Sequence, residues 1–327
     1  MKFGITPREW GDFFQEAYSE IKTAGRYGFD SVWFEEHHEH IEYLPSPVSA
    51  LMIVSQHTSM KLGTNVLILP TYNPVRLAED VAMLDCTSHG RVILGVGAGY
   101  REKDFRNSGF RMDDRSSFMD EAIPLLRRLL SEENVSHAGR HFTVKDATVQ
   151  PRPHQNSGPP FWVGGWKKIA LRRAARLGDA WFPGPTASIN DILSCKDVYV
   201  QEMKKLGKKL PKLPIMRDVY VAETTEKAFH ESEASFLHTY QTDYSSSEHP
   251  LISGLKLSFM EWAKDRFIIG SPSDVIEEID RYRKNGFSYA VLRMALRKLS
   301  PEKVLSSIRL LGAKVIPHLS EKDDDEK

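Results

Sequence analysis

Residues 86–110 read CTSHGRVILGVGAGYREKDFRNSGF, and the way this run is parsed decides the fold. A helix closes near Ser88-His89-Gly90, a buried strand follows over Val92–Gly97, and Gly95, Gly97 and Gly99 crowd its C-terminal end. Glycines packed there imply that something large and flat approaches the backbone. The spacing is not the dinucleotide fingerprint: Gly95-x-Gly97-x-Gly99 lacks the later glycine, and no helix opens directly behind it.

Outward from this strand, short apolar runs alternate with amphipathic helices. Strands are expected at Phe3–Thr6, Ser31–Glu35, Leu62–Leu69, Val92–Gly97, Phe161–Gly164, Ala180–Phe182, Ile215–Ala222 and Tyr289–Met294. Helices are expected between them, among them Gln15–Tyr27, Val48–His57, Pro74–Cys86, Ser116–Leu130, Ile169–Leu177, 189–205, Pro272–Asn285 and Pro301–Ala313. Gly139 and the alternation of Phe142 and Val144 mark a hairpin over 135–150. Eight strand–helix units without a change of composition predict an α/β fold, a (β/α)8 TIM barrel with insertions, rather than an open sheet. It is expected as one domain over 1–316, with an irregular insertion at 237–265 whose loosest part is YSSSE (244–248). The charged tail 317–327 is expected to be disordered.

The chain has 327 residues, with 44 lysines and arginines against 44 aspartates and glutamates. This balance points to neither nucleic acid nor an anionic membrane. No apolar run is long enough for a membrane span, and no targeting segment is expected before the opening strand MKFGIT. Cys86 and Cys195 lack metal or redox spacing and read as free thiols in a reducing cytoplasm.

A barrel places its site at the C-terminal ends of its strands. Those ends are Thr6-Pro7-Arg8, Glu35-Glu36-His37-His38, 65–69, Gly97-Ala98-Gly99-Tyr100, Gly164-Gly165-Trp166, Phe182-Pro183-Gly184, Ala222-Glu223 and Arg293-Met294. In the run 35–38, with His40 and Glu42 behind it, a histidine can serve as general acid or base, or can simply be satisfied by a backbone carbonyl. Adjacent histidines on an extended segment point in opposite directions, so no metal is expected. In FWVGGWKKIALRR (161–173), a glycine turn precedes a basic helix start. That reads as a phosphate site built from N–H groups with Lys167, Lys168 and Arg172, or as a solvated basic face. Arg115 is a second phosphate candidate, or else a cap on Asp113 or Asp114. Asn65 is disfavoured within a strand and marks a backbone irregularity.

WFEEHHEH, LGTNVLILPTYNPVRLAEDVAMLDCTSHGRVILGVGAGYREKDFRNSGF, the run VSHAGRHF to AWFPG, and FIIGSPSDVIEEIDRYRKNGFSYAVLRM resemble the bacterial luciferase family of flavin-dependent monooxygenases. The resemblance runs from Met1 to about residue 315. It implies an eight-stranded barrel with an insertion after the fourth unit and a reduced flavin in its mouth. It puts a non-prolyl cis peptide at Asn65–Val66, and it assigns the catalytic base to His37. It implies that Gly97, Gly99 and Tyr100 line the flavin, and that Gly164, Gly165, Trp166 and Lys167 meet its phosphate, with Arg115 or Lys168 supplying charge. Gly97 and Ala98 replace a cysteine and an arginine of the light-emitting subunit, which argues against a long aldehyde pocket and light emission. The chemistry implied is a two-component monooxygenase using O2 and reduced FMN from a separate reductase on a small organic substrate. The alternatives are a deazaflavin-dependent hydride-transfer enzyme and a non-catalytic flavin-binding relative. Homodimerisation is also expected by resemblance.

Overall fold

The computed structural model describes residues 1–9, 13–40, 43–244 and 249–320. They divide into two compact units that interleave in sequence: 1–33 with 183–196 and 211 onward, and 34–182 with 197–210.

The first unit is built on β1 (Lys2–Thr6), β2 (Ser31–Phe34, its last residue in the second unit), β10 (Leu213–Val221), β11 (Phe267–Gly270) and β12 (Phe287–Arg293). These strands pair in the order β11-β10-β12-β1-β2, all parallel. Their residues are almost all buried, as expected for parallel strands covered on both faces. At the C-terminal end of this array Asp218 stands in register with Arg293. The two form a buried bidentate pair, Nε to Oδ1 at 2.6 Å and Nη2 to Oδ2 at 3.0 Å. Tyr240 donates to the same carboxylate at 2.6 Å, and Arg293 donates to the Tyr244 hydroxyl at 2.6 Å. Tyr244, expected at the loose end of the insertion, is therefore buried and fixed, whereas 245–248 lie outside the described residues.

The second unit contains β3 (Lys61–Thr64), β4 (Leu67–Ile68), β5 (Val92–Gly97), β8 (Phe161–Val163) and β9 (Ala180–Trp181). They run parallel in the order β3-β5-β8-β9, with β4 also on β5. The hairpin expected over 135–150 is present as antiparallel β6 (Val135–Ala138) and β7 (Thr143–Ala147). Glu121, on the helix Arg115–Ser131, anchors it by accepting the His137 ring and the His141 and Phe142 N–H groups at 2.9–3.0 Å.

Three expectations need correction. The single strand over 62–69 is two strands, β3 and β4, parted at a cis Asn65–Val66 bond and followed by a 3-10 turn, Leu69–Thr71. β11 was not expected as a strand, because FIIG abuts the helix Phe259–Arg266 with no turn residue between them, and a four-residue apolar run cannot be told from helix by period. The first residues of the expected tail, 317–319, belong to a short helix, Ile316–Leu319, and 321–327 lie outside the described residues.

The crowded glycines of β5 have a cause within the chain. A Cβ on Gly95 would lie 1.9 Å from the Thr64 carbonyl oxygen, and one on Gly97 would lie 2.6 Å from Val66 Cγ2. A Cβ on Gly99, whose φ is +70°, would lie 2.8 Å from Ile68. The β3–β4 segment thus lies directly on bare β5 backbone. Gly95→Ala is expected to destabilise the fold by more than about 3 kcal/mol, since the obstacle is backbone that cannot swing aside. Gly207→Ala, at φ +65° with nothing within 4 Å, should cost only about 1 kcal/mol. Urea unfolding of both variants checks the contrast.

Candidate active site at the strand ends of the second unit

Beyond β2 the chain passes through Glu35-Glu36-His37-His38. Glu36 is 2% exposed and fully engaged. Its Oε2 accepts the Ile68 N–H at 2.7 Å, and its Oε1 accepts the Tyr72 hydroxyl at 2.7 Å and pairs with His38 Nε2 at 2.9 Å. Glu36 thereby ties the segment that follows Phe34 to the last residue of β4. Without it the Ile68 N–H would be left buried and unsatisfied, at a cost of about 1–3 kcal/mol. The Glu36 hydrogen bond raises the His38 imidazole above its ordinary value, against the opposing effect of burial.

His37 turns the other way. Its Nδ1 lies 3.7 Å from Asp104 Oδ2, beyond hydrogen-bond reach, so the interaction is electrostatic. Asp104 sits on the short helix Glu102–Arg106 after β5 and is 3% exposed. Its Oδ1 accepts the His38 N–H at 3.0 Å and meets Arg101 Nη1 at 3.4 Å. Burial pushes the Asp104 carboxyl up, but His37, the Arg101 charge and the His38 N–H outweigh it and hold it below its ordinary range. Asp104 is therefore a carboxylate at neutral pH. The His37 ring packs edge-on against Tyr43 (centroids 4.5 Å) and Tyr100 (6.3 Å), with His40 at 6.4 Å. The two imidazoles thus face different carboxylates, as the alternation of an extended segment requires.

Val66 joins three of the expected positions. Its side chain covers Gly97 on one side and lies 3.6 Å from where a Gly164 Cβ would be. Asn65 is 8% exposed, and its N–H donates to Phe34 O at 2.9 Å. Gly164 donates to Val96 O at 2.8 Å. Beyond it, Gly165 has φ +141° and lies so close to Ala170 that a Cβ would come within 2.5 Å. Its carbonyl accepts the Trp181 indole at 2.9 Å, and Trp166 packs edge-on to Trp181. The helix Lys168–Leu177 then starts at Lys167 with no side-chain cap, and Lys167 and Lys168 are exposed. N–H groups at this helix start, together with two ammonium groups, form a donor set suited to a phosphate monoester.

Two further expected cations have partners within the chain. Arg172 turns to Glu202 at 3.4 Å. Arg115 is half-buried and donates to Met112 O at 2.7 Å, bonding neither Asp113 nor Asp114. Arg173 was not singled out from the sequence, yet it is buried. It binds Asp120, Ser116 O and Ser116 Oγ, tying the helix that Arg115 opens to the one that Lys168 opens. Asp104, Arg101, Tyr43 and Tyr72 were also missed. REKDFR reads as a solvated helical turn, and nothing local shows that its aspartate is buried.

The family model described as luciferase-like monooxygenase matches residues 11–289. The chain belongs to the luciferase-like monooxygenase family. The oxygenase component of the flavin-dependent trigonelline monooxygenase of Acinetobacter baylyi is 23% identical over 96% of this chain and 92% of its own. An F420-dependent glucose-6-phosphate dehydrogenase of Kineococcus radiotolerans is 36% identical over 47% of this chain. The match spans only about half the length of that relative (48%), as it does for an uncharacterised Sinorhizobium fredii protein (45%). The crystal structure of the monooxygenase RslO1 from Streptomyces bottropensis superposes with a TM-score of 0.86, at 23% identity, over 98% of this chain and all of that one. The fold is accordingly the luciferase-like α/β fold, of the TIM-barrel kind that the strand–helix rhythm predicts and of the family that the resemblance implies. Among the described residues, no helix is long and apolar enough to cross a membrane.

The raised His38 value makes stability depend on pH. The Glu36–His38 contribution is fully present below the unfolded value near 6.5 and is lost as pH rises through the higher folded value. His38→Asn should flatten that decline, as read from urea midpoints collected between pH 6 and 9.

Proposed function

We propose that this chain is the oxygenase component of a two-component monooxygenase that takes reduced FMN from a separate reductase and oxygenates a small organic substrate. The observation that carries this reading is His37, held against the ionised Asp104 and walled by Tyr43 and Tyr100 beyond the strand ends. The trigonelline relative, named as an oxygenase component and aligned over nearly the whole chain, supports it.

The residues present fit a phosphorylated flat cofactor. Gly164, Gly165, Trp166, Lys167 and Lys168 would hold its phosphate, with Arg115 from the neighbouring helix. Asn65, Val66, Gly97, Gly99 and Tyr100 would border its ring. When bound, reduced FMN supplies the two electrons with which one atom of O2 enters the substrate and the other leaves as water. His37 supplies or removes one proton at its ring, a role suited to an imidazole near neutral pH. Tyr43 and Tyr100 would narrow the access of water to that ring.

The F420-dependent relative favours a second reading, hydride transfer with a deazaflavin. Anaerobic titration with reduced FMN and, separately, with reduced F420 decides between them. Tight binding of FMN with weak binding of F420 is expected, and the reverse order would replace oxygenation by hydride transfer. The Lys167→Ala, Lys168→Ala double variant should weaken reduced FMN about tenfold or more while leaving riboflavin unchanged, because only the phosphate is lost to it. His37→Ala should lower oxygenation at least about a hundredfold with little change in FMN affinity.

A further inference from the structure

The proposed reading gives His37 a proton to move but does not say which ring nitrogen moves it. His37 Nδ1 is sealed from solvent and has no hydrogen-bond partner among the described residues. Among the described residues, the acidic group facing it is Asp104, with Oδ2 at 3.7 Å. A lone pair on Nδ1 would face a negative charge, whereas an N–H there meets it favourably. Glu36 cannot take this part, since Ile68, Tyr72 and His38 already occupy it.

We propose that Asp104 is a positioning residue that keeps the His37 proton on Nδ1 and leaves Nε2 as the nitrogen that exchanges protons with a bound ligand. The inference rests on His37 being the acid–base group. The two oxygens of Asp104 divide the work. Oδ1 takes the His38 N–H and the Arg101 guanidinium, which fix the carboxylate in place, and Oδ2 is turned to His37. The turn that carries Asp104 is anchored on both sides. Phe105 is buried against Gly99, and Asn107 donates to Glu39 on the loop beyond His38. Among the described residues, the other titratable or charged groups around the ring are Arg101, Tyr100, Tyr43 and His40, with Glu36 and His38 beside it in the chain. Asp104 is the acid aimed at Nδ1, so the pair acts as an imidazole oriented by a carboxylate, the arrangement that fixes a tautomer in other acid–base sites.

The test is nitrogen NMR on protein labelled with 15N-histidine and free of any ligand, with His37 assigned by the spectrum of His37→Gln. The neutral His37 ring should show a protonated Nδ1 and a bare Nε2. In Asp104→Asn, which retains an oxygen for the His38 N–H, that preference should weaken or reverse. A bare Nδ1 in the unmodified protein would overturn the proposal, and this measurement needs no variant to fold. An unchanged tautomer in a folded Asp104→Asn protein would overturn it as well. In turnover, Asp104→Asn should lower kcat about tenfold or more at unchanged reduced-FMN affinity and cause no further loss in a His37→Ala background. An equal loss in that background would reduce Asp104 to a structural role. Failure of reduced FMN to bind would overturn the functional reading alone, because the spectrum is recorded without it.

Discussion

The site depends on one close approach of backbone to backbone. Thr64 and Val66 lie against Gly95 and Gly97 of β5 at distances that leave no room for a side chain. The Thr64 hydroxyl donates to Gly95 O at 2.7 Å, and the neighbouring Asn65 N–H donates to Phe34 O at 2.9 Å. Gly164 donates to Val96 O on the other side. Four consecutive chain crossings are thus locked together at their C-terminal ends, and the functional side chains leave from those ends. If β5 carried ordinary residues there, β3 and β4 would be displaced, and with them Ile68, which holds Glu36, and Val66, which lies between Gly97 and Gly164.

On that frame the electrostatics are arranged in pairs. Two buried carboxylates, Glu36 and Asp104, and two adjacent histidines would be costly without mutual compensation, because burial penalises every charged form. Each acid meets a different imidazole and takes backbone N–H bonds as well. Glu36 has three donors and serves the loop's architecture. Asp104 has an oxygen turned to a ring that stands among aromatics. The same two chemical groups therefore do different work, decided by what else each oxygen has to satisfy.

Much of the fold was legible because its signals are local. Val92–Gly97 and Ile189–Lys205 have the bounds expected from apolar period alone. The hairpin at 135–150 followed from alternation around Gly139. β11 escaped because FIIG follows a helix without punctuation, so its pairing with β10 is visible only once both are placed. The glycines of β5 were read correctly as a mark of close approach, but the approaching group is the chain's own Thr64–Val66 segment. A sequence shows that a backbone must be bare without showing what lies on it.

The residues themselves determined the strand–helix rhythm, the irregular Asn65–Val66 step, the opposed directions of His37 and His38, and the basic helix start at Lys167–Lys168. Each of these depends on neighbours a few positions away. Tertiary structure alone decided that Asp104 is buried beside a histidine 67 positions earlier, that Arg173 rather than Arg172 is the buried cation, and that Arg115 turns to Met112 O. The physical reason is that desolvation and charge pairing depend on which segments meet in space. In the linear chain, a charged residue that ends up buried carries the same signature as one that stays in water.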